Sequence, residues 1–143
     1  MKYSILLVMG LLVGGCAAPG SNVRTFIVAD KTDRSVVVPP QGTALEEPIK
    51  DKLRVMGWRV FATDPGTVIG QIQIHYGMRV QVQATNEAGW FWYQVNMFDR
   101  RSGKEVIEMD GKDDEKTIIS NLEKYLDPLF EVPLDSSLPP LPQ

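Results

Sequence analysis

An unbroken alternation of residue types from Val68 to Ala84 restricts the fold of this chain more than any other feature. Apolar or small residues occupy every second position, and the positions between them are mostly polar. A period of two is the repeat of a β-strand with one dry face and one wet face. We therefore predict a long strand with a bend near Gly77. The positions predicted to fill the core are Ile72, Ile74, Val80 and Val82.

The residues after this strand predict two more strands that pair with it. Turn residues at 85–89 lead to an apolar run from Trp90 to Phe98. A second turn, Arg100 to Gly103, leads to a run from Lys104 to Asp110. Three strands joined by such short turns are typical of an antiparallel meander.

Two amphipathic helices are predicted on either side of the meander. Thr43 and Glu46 have the spacing of a capping box, and Gly57 is well placed to end that helix. The acidic residues 113–115 favour the start of a second helix before Pro128. The two apolar stripes are Leu45, Ile49, Leu53 and Met56, then Ile118, Leu122, Tyr125 and Leu126.

The order of these elements defines the predicted fold class. Two β-branched runs, Val23 to Ala29 and Arg34 to Val38, add strands before the first helix. We predict an α+β domain over residues 23–130. It has a curved, mainly antiparallel sheet with two helices packed on one face.

The N-terminus reads as a targeting segment rather than as part of the domain. Lys2 is followed by an apolar stretch from Ile5 to Val13, and small residues precede Cys16. The stretch is too short to span a bilayer, since roughly 20 apolar residues are needed. The ending Val13-Gly14-Gly15-Cys16 resembles the lipobox of bacterial lipoproteins. That resemblance implies a signal peptide at 1–15 that is removed and an acylated Cys16.

Acylation would anchor the protein to a membrane, because two or three acyl chains bind stably where one is marginal. Cys16 is the only cysteine of the chain, and an unmodified single thiol is a liability in an oxidising compartment. Ala17 stands where lipoproteins retained at the inner membrane carry aspartate. The resemblance therefore implies an outer-membrane lipoprotein facing the periplasm. Composition predicts a tether at 16–22, after the acylated cysteine, and a Pro-rich flexible tail at 131–143.

Charge and length narrow the class of function. The chain has 143 residues and a net charge of -3, which suits one domain and no second core. Nucleic-acid binding requires clustered Lys and Arg, and the basic residues here are too sparse. We expect no nucleic-acid partner.

The sequence offers little support for catalysis. His75 is the only histidine and falls on the polar face of the predicted strand, where we expect it to be solvated. A catalytic zinc site draws on several His or Cys ligands, and no G-x-S-x-G setting supports a serine nucleophile. Adjacent acids at 113–115 are accounted for by the helix dipole. We predict no enzyme activity, no metal and no cofactor.

Trp90 and Trp92 are the candidate partner-binding residues. In the strand 90–98, Phe91, Tyr93, Val95 and Met97 point to one face, so both tryptophans point to the other. An exposed aromatic patch commonly marks a partner site or a membrane interface. Cover by a loop, the tail or the first strand is the alternative.

Two further segments support a resemblance that covers roughly 23–130. They are the helix end Met56-Gly57-Trp58-Arg59-Val60 and the turn from Phe98 to Val106. Both resemble small periplasm-facing lipoproteins of Gram-negative bacteria, a group that includes auxiliary lipoproteins of lipid transporters and the lipoprotein partner of the lipopolysaccharide translocon. The resemblance implies a non-enzymatic binding or assembly accessory with protein partners in a secretion, conjugation, transport or surface-assembly complex. The alternatives are capture of a small lipophilic or glycan ligand between helices and sheet, and a periplasmic enzyme or enzyme inhibitor.

Overall fold

The computed structural model describes residues 20–131 of the chain. The signal segment 1–15, Cys16 and residues 132–143 of the predicted tail lie outside the described residues. The elements are β1 (Ser21–Thr25), β2 (Ser35–Val37), α1 (Glu46–Val55), β3 (Arg59–Phe61), β4 (Tyr76–Ala84), β5 (Trp90–Asp99), β6 (Glu105–Asp114) and α2 (Glu115–Leu126). Short 3₁₀ turns cover Pro65–Ile69 and Asp127–Phe130.

The six strands form one mixed sheet in the order β1-β6-β5-β4-β2-β3. The predicted meander is confirmed, because β4, β5 and β6 pair in sequence and antiparallel. β1 also pairs antiparallel with β6, whereas β2 runs parallel to both β3 and β4. The fold is therefore α+β with a mainly antiparallel sheet, and the two N-terminal strands lie far apart in it.

The prediction of one long strand from Val68 is wrong in its first half, because β4 begins only at Tyr76. The Asp64 carboxylate accepts hydrogen bonds from the backbone N–H of Gly66, Gln73 and Ile74. These bonds fold the intervening chain into a turn. Val68 and Ile72 are consequently exposed, while Ile74 and Val80 are buried as predicted.

Gly77 lies inside β4 and has a packing role. A Cβ atom placed there would lie 2.6 Å from the Phe98 ring, which is closer than carbon atoms approach. Gly77 pairs with Phe98 across the sheet, so the ring crosses over the glycine. The Arg79 guanidinium covers the same ring at 4.7 Å from its centroid. Any side chain at position 77 would displace Phe98.

The start of α1 differs from the predicted capping box. Leu45 stands at the N-cap without a side-chain hydrogen bond, and within the described part of the chain the buried Thr43 hydroxyl has no partner. Glu46 instead accepts hydrogen bonds from the backbone N–H of Gln41 and Gly42, at 2.7 and 2.9 Å. Lys50 also donates to it, and these bonds lower the pKa of Glu46 to about 2, with the Lys50 bond contributing most.

The core is one hydrophobic cluster that draws on strands and helices together. The apolar stripes of both helices contribute to it: Leu45, Ile49 and Leu53, with Ile118, Leu122 and Leu126. The strands contribute alternate residues: Met78, Val80, Val95 and Met97 follow the predicted alternation, and Ile107 and Met109 of β6 join them. Trp58 packs edge-on against the rings of Tyr76 and Phe130 and completes the cluster.

Candidate functional site

Trp90 and Trp92 lie on the face of β5 opposite the buried residues Tyr93, Val95 and Met97. Their exposed fractions are 38% and 54%, so the orientation predicted from the alternation is correct. An exposed apolar patch commonly marks a contact with a protein partner or a membrane. The role of these two residues as a partner site stays a prediction.

Polar side chains surround Trp92 and form a shallow groove across β1, β6, β5 and β4. The groove is lined by amide and carboxylate groups of Asn22, Gln81, Gln83, Gln94 and Asp110. Lys112 stands on the neighbouring strand with its Nζ 6.0 Å from the centroid of the Trp92 ring. The same ammonium is paired with Glu87 at 2.8 Å, so the lysine charge next to the indole is already compensated.

The first described strand is fixed to this end of the sheet by a small hydrogen-bond network. The Ser21 hydroxyl donates to the Asp113 carboxylate, and the Asn121 amide donates to Ser21 at 2.9 Å. The Tyr93 hydroxyl donates to Ser21 as well. Burial is the main cause that raises the pKa of Tyr93 to about 12, so this phenol keeps its proton. The point where the chain enters the domain is therefore held rigidly.

His75 is buried, and the expectation of a solvated histidine is wrong. Its residue exposure is 4%, and position 75 lies just before β4. The imidazole stacks on the Tyr76 ring at 4.3 Å. Its backbone N–H donates to the Ser35 hydroxyl, and its carbonyl accepts from the Arg100 N–H. His75 thus joins β2, β4 and the turn after β5.

The two ring nitrogens of His75 face groups of opposite charge. Nε2 lies 2.8 Å from the Asp99 carboxylate, to which it donates. Nδ1 lies 3.3 Å from the Arg101 guanidinium, which can only donate, so Nδ1 accepts. The carboxylates of Asp30 and Asp33 stand further off, at 3.7 and 3.9 Å from Nδ1. In this pairing Nε2 is the donor and Nδ1 is the acceptor.

His75, Asp99 and Arg101 form a structural cluster that connects several elements, which we call the His75 hub. Burial raises the pKa of Asp99, but the hydrogen bonds from His75 and from the Ser102 and Arg101 backbone outweigh it and lower that pKa. A catalytic base would direct its free nitrogen at a nucleophile, whereas Nδ1 here faces a guanidinium. Within residues 20–131, no group of three or more His, Cys, Asp or Glu side chains is placed to hold a metal ion.

A second ion pair lies beside the hub. The Arg100 guanidinium contacts the Asp64 carboxylate and also donates to the Ile74 carbonyl at 3.0 Å. Burial raises the pKa of Asp64, yet Arg100 and the backbone donors of Ile74, Gly66 and Gln73 together lower it to about 2. The turn that contains Val68 is therefore fastened to the end of β5.

Exposed apolar residues lie in two separate segments at the end of the sheet where this hub lies, one after β1 and one after β3. Ile27 follows β1 and is 98% exposed, and Val68 in the 3₁₀ turn is 87% exposed. Phe26 and Ile69, their neighbours in the chain, are exposed as well. The sequence reasoning missed these residues, because Val68 fits the alternation of a strand and Ile27 fits a β-branched run. The environment of Val68 depends on Asp64 and Arg100, which are 36 residues apart.

Comparisons with known proteins identify a similar fold. No protein-family model matches the chain, and no curated protein matches it. A PelC dodecamer from Paraburkholderia phytofirmans is similar with a TM-score of 0.51 and 16% identity, over 78% of this chain and 99% of that chain. A single-residue variant of that dodecamer gives 0.51 and 14%, over 76% and 97%. A PDZ domain protein from Parabacteroides distasonis gives a TM-score of 0.46 at 6% identity, over 76% of this chain and 36% of that chain.

The PelC likeness establishes a shared fold over nearly the whole PelC chain and nothing further at this identity. The helices that the structure describes are too short or too polar to cross a membrane.

Proposed function

We propose that this protein is a non-enzymatic outer-membrane lipoprotein that acts as a binding or assembly accessory in a cell-envelope complex. It is anchored through Cys16 and faces the periplasm. The observation that carries the proposal is that the core-facing side chains of both helices are buried while other apolar side chains are exposed at the surface. Ile27, Val68 and Trp92 are exposed, and exposed apolar surface is typical of proteins that act through surface contacts.

The interior favours this role over capture of a lipophilic or glycan ligand between helices and sheet. A capture module needs an open apolar cavity beneath its helices. Here the helix side chains that face the strands are fully buried among them: Leu45, Ile49, Leu53, Ile118, Leu122 and Leu126. In our proposal both helices cover the same face of a curved sheet, which leaves the groove beside Trp92 open to solvent.

The environment of His75 favours a non-enzymatic role. Both ring nitrogens already have partners, Asp99 and Arg101, so neither is free to move a proton for a substrate. The lowered pKa of Asp99 keeps that carboxylate ionised in its pair.

A homo-oligomer is the assembly we propose first. PelC, which shares the fold, forms a dodecamer. Rings are built from two different surface patches that meet between successive copies. The apolar residues after β1 and those in the turn after β3 are two such patches, and the two strands are opposite edges of the sheet.

The test combines processing with assembly. The full chain is expressed with its signal segment, extracted from membranes in mild detergent, and measured by intact mass and by light scattering after gel filtration. We expect cleavage before Cys16, a mass increase from acyl chains, and a particle of several protomers. Cys16→Ser should leave an unprocessed, unacylated chain.

Two charge variants in one turn separate assembly from folding. Val68→Glu should reduce the size of the particle, whereas Gln71→Glu adds the same charge at a polar exposed position and should leave the size unchanged. A monomeric wild-type particle would contradict the proposed homo-oligomer. An acylated Cys16→Ser variant would contradict the anchor.

A further inference from the structure

The tryptophan pair lies at the end of the sheet where the chain enters the domain. Ser21 of β1 pairs with Gly111 of β6, and Gly111 pairs with Tyr93 of β5. Adjacent strands are about 4.8 Å apart, so Ser21 and Tyr93 are separated by roughly 10 Å. Trp92 is the neighbour of Tyr93 in the chain. The indole therefore lies close to the root of the N-terminal segment, by which we mean Ser21, the first residue of β1.

The root itself is fixed. Side-chain hydrogen bonds connect Ser21 to Asp113 of β6 and to Asn121 of α2. Five residue steps separate Ser21 from Cys16. A fully extended chain spans at most about 3.6 Å per residue, which limits this link to roughly 18 Å. An acyl anchor at Cys16 would hold this end of the sheet within that distance of the bilayer.

The exposed chemistry of this end suits the boundary between water and lipid. Indole rings combine a large apolar surface with one N–H donor, and tryptophan is enriched at the headgroup level of membranes. Trp90 and Trp92 both project from the same face of β5. Amide side chains at Gln83 and Gln94 flank Trp92 and carry no charge into the headgroup layer.

The charges at this end of the sheet predict which phospholipid headgroups are needed for contact between the tryptophans and a membrane. Lys112 is neutralised by Glu87, and Lys116 lies close to the carboxylate of Asp114, the cross-strand partner of Trp90. The acidic residues Asp110 and Asp113 lie on the neighbouring strand, so the local charge is not positive. Anionic headgroups therefore gain no attraction here. Contact should depend on the indole rings and occur on zwitterionic phospholipid.

We propose that Trp92, together with Trp90, lies in the headgroup layer of the membrane that carries the lipid anchor, so that this end of the sheet is seated on the bilayer. This inference rests on the proposed anchoring at Cys16. It adds a second contact with the membrane, orients the domain, and directs the opposite end, with Ile27 and Val68, into the periplasm.

The test uses the mature chain, residues 16–143, because the core is built entirely within Val23 to Phe130. Cys16 is the sole thiol, so a maleimide phospholipid attaches there alone and supplies the anchor chemically. The protein is bound to phosphatidylcholine vesicles with and without bromine near the headgroup end of the acyl chains. Tryptophan emission is then recorded for the wild type, Trp92→Phe and Trp90→Phe.

We expect brominated lipid to quench wild-type emission and the emission maximum to shift to shorter wavelength on binding. Trp92→Phe should lose most of this quenching, and Trp90→Phe a smaller part. Buried Trp58 remains as an unquenched background in every variant. Addition of anionic lipid should not increase the quenching.

Equal quenching in the wild type and Trp92→Phe would overturn the proposal. Trp92 emission that resists both brominated lipid and aqueous acrylamide would also overturn it, since the indole would then be covered by protein, either a second copy or another chain. Because the anchor is attached chemically, these outcomes are independent of acylation in the cell. Failure of Cys16 to be acylated in cells would count against the proposed function alone.

Discussion

The buried carboxylate of Asp64, the partly buried carboxylate of Asp99 and the imidazole of His75 determine how the end of the sheet around them is built. Asp99 and Asp64 each accept several hydrogen bonds, from a cationic or aromatic side chain and from backbone N–H groups. Each ties loops that are distant in sequence to the start of β4. Charged groups in such surroundings are expensive to leave unpaired, so removal of one partner costs more than the single bond it made.

His75→Ala tests this hub. The substitution leaves the Asp99 carboxylate without its imidazole donor and removes the stacking on Tyr76. We expect the free energy of unfolding to fall by about 1–3 kcal/mol, measured by urea denaturation. Lys104→Ala, at an exposed position after the same turn, should change it by less than about 0.5 kcal/mol. Similar values for both variants would show that His75 is not structural.

Asp64 gives the protein an acid-sensitive component of stability. Its folded-state pKa of about 2 lies below the ordinary value of 3.8, so the unfolded chain binds the proton more tightly. The stabilisation is therefore complete above the ordinary pKa and is lost as the pH falls from there through about 2. Asp64→Asn should unfold in less urea at neutral pH and show a shallower decline in acid. An identical acid profile in wild type and variant would contradict this.

At the scale of elements, the meander was predictable and the segment before it was not. Val80, Val82, Val95 and Met97 keep their alternation because neighbouring strands impose the same period on them. The residues 68–74 have the same pattern, yet the hydrogen bonds of Asp64 and Arg100 override it. The bond between Asp64 and Arg100 joins positions 36 residues apart. A local pattern contains no information on such a pair.

For the candidate site too, some features could be predicted from the local sequence and others could not. The orientation of Trp90 and Trp92 followed from local period alone. The burial of His75 required knowledge that β4 starts one residue later and that Asp30, Asp33 and Asp99 converge there. Acylation of Cys16 is predicted from a motif. Cys16 lies outside the described residues, so its acylation stays a prediction.

The two faces of β5 should differ in energetic role. Met97 is fully buried, so Met97→Ala should reduce the free energy of unfolding by about 2–5 kcal/mol through lost burial and a cavity. Trp92 is half exposed, and Trp92→Ala should cost less than about 1 kcal/mol. Both are measured by urea denaturation of the same preparation. If Trp92→Ala proves as destabilising as Met97→Ala, then Trp92 serves the fold and not a partner.

At the scale of the whole molecule, the domain has two chemically different ends. One end carries Trp90 and Trp92 beside the root of the N-terminal segment at Ser21. The other carries the His75 hub with the exposed residues Ile27 and Val68. Between them lies one hydrophobic cluster that includes both helices. In our proposal each end makes a different contact, and the single core keeps the two ends at a constant distance.

A single core predicts that the ends cannot unfold separately. Leu53 of α1 and Ile107 of β6 belong to the same cluster, so Leu53→Ala and Ile107→Ala should each lower stability by about 2–5 kcal/mol. The test follows unfolding by far-ultraviolet circular dichroism and by Trp58 emission, with Trp90 and Trp92 changed to Phe. Trp58 reports on the core through its contacts with Tyr76 and Phe130. Coincident transitions in every variant are expected of one cooperative unit, whereas a helix signal lost before the Trp58 signal would mean that α1 and the sheet are separate units.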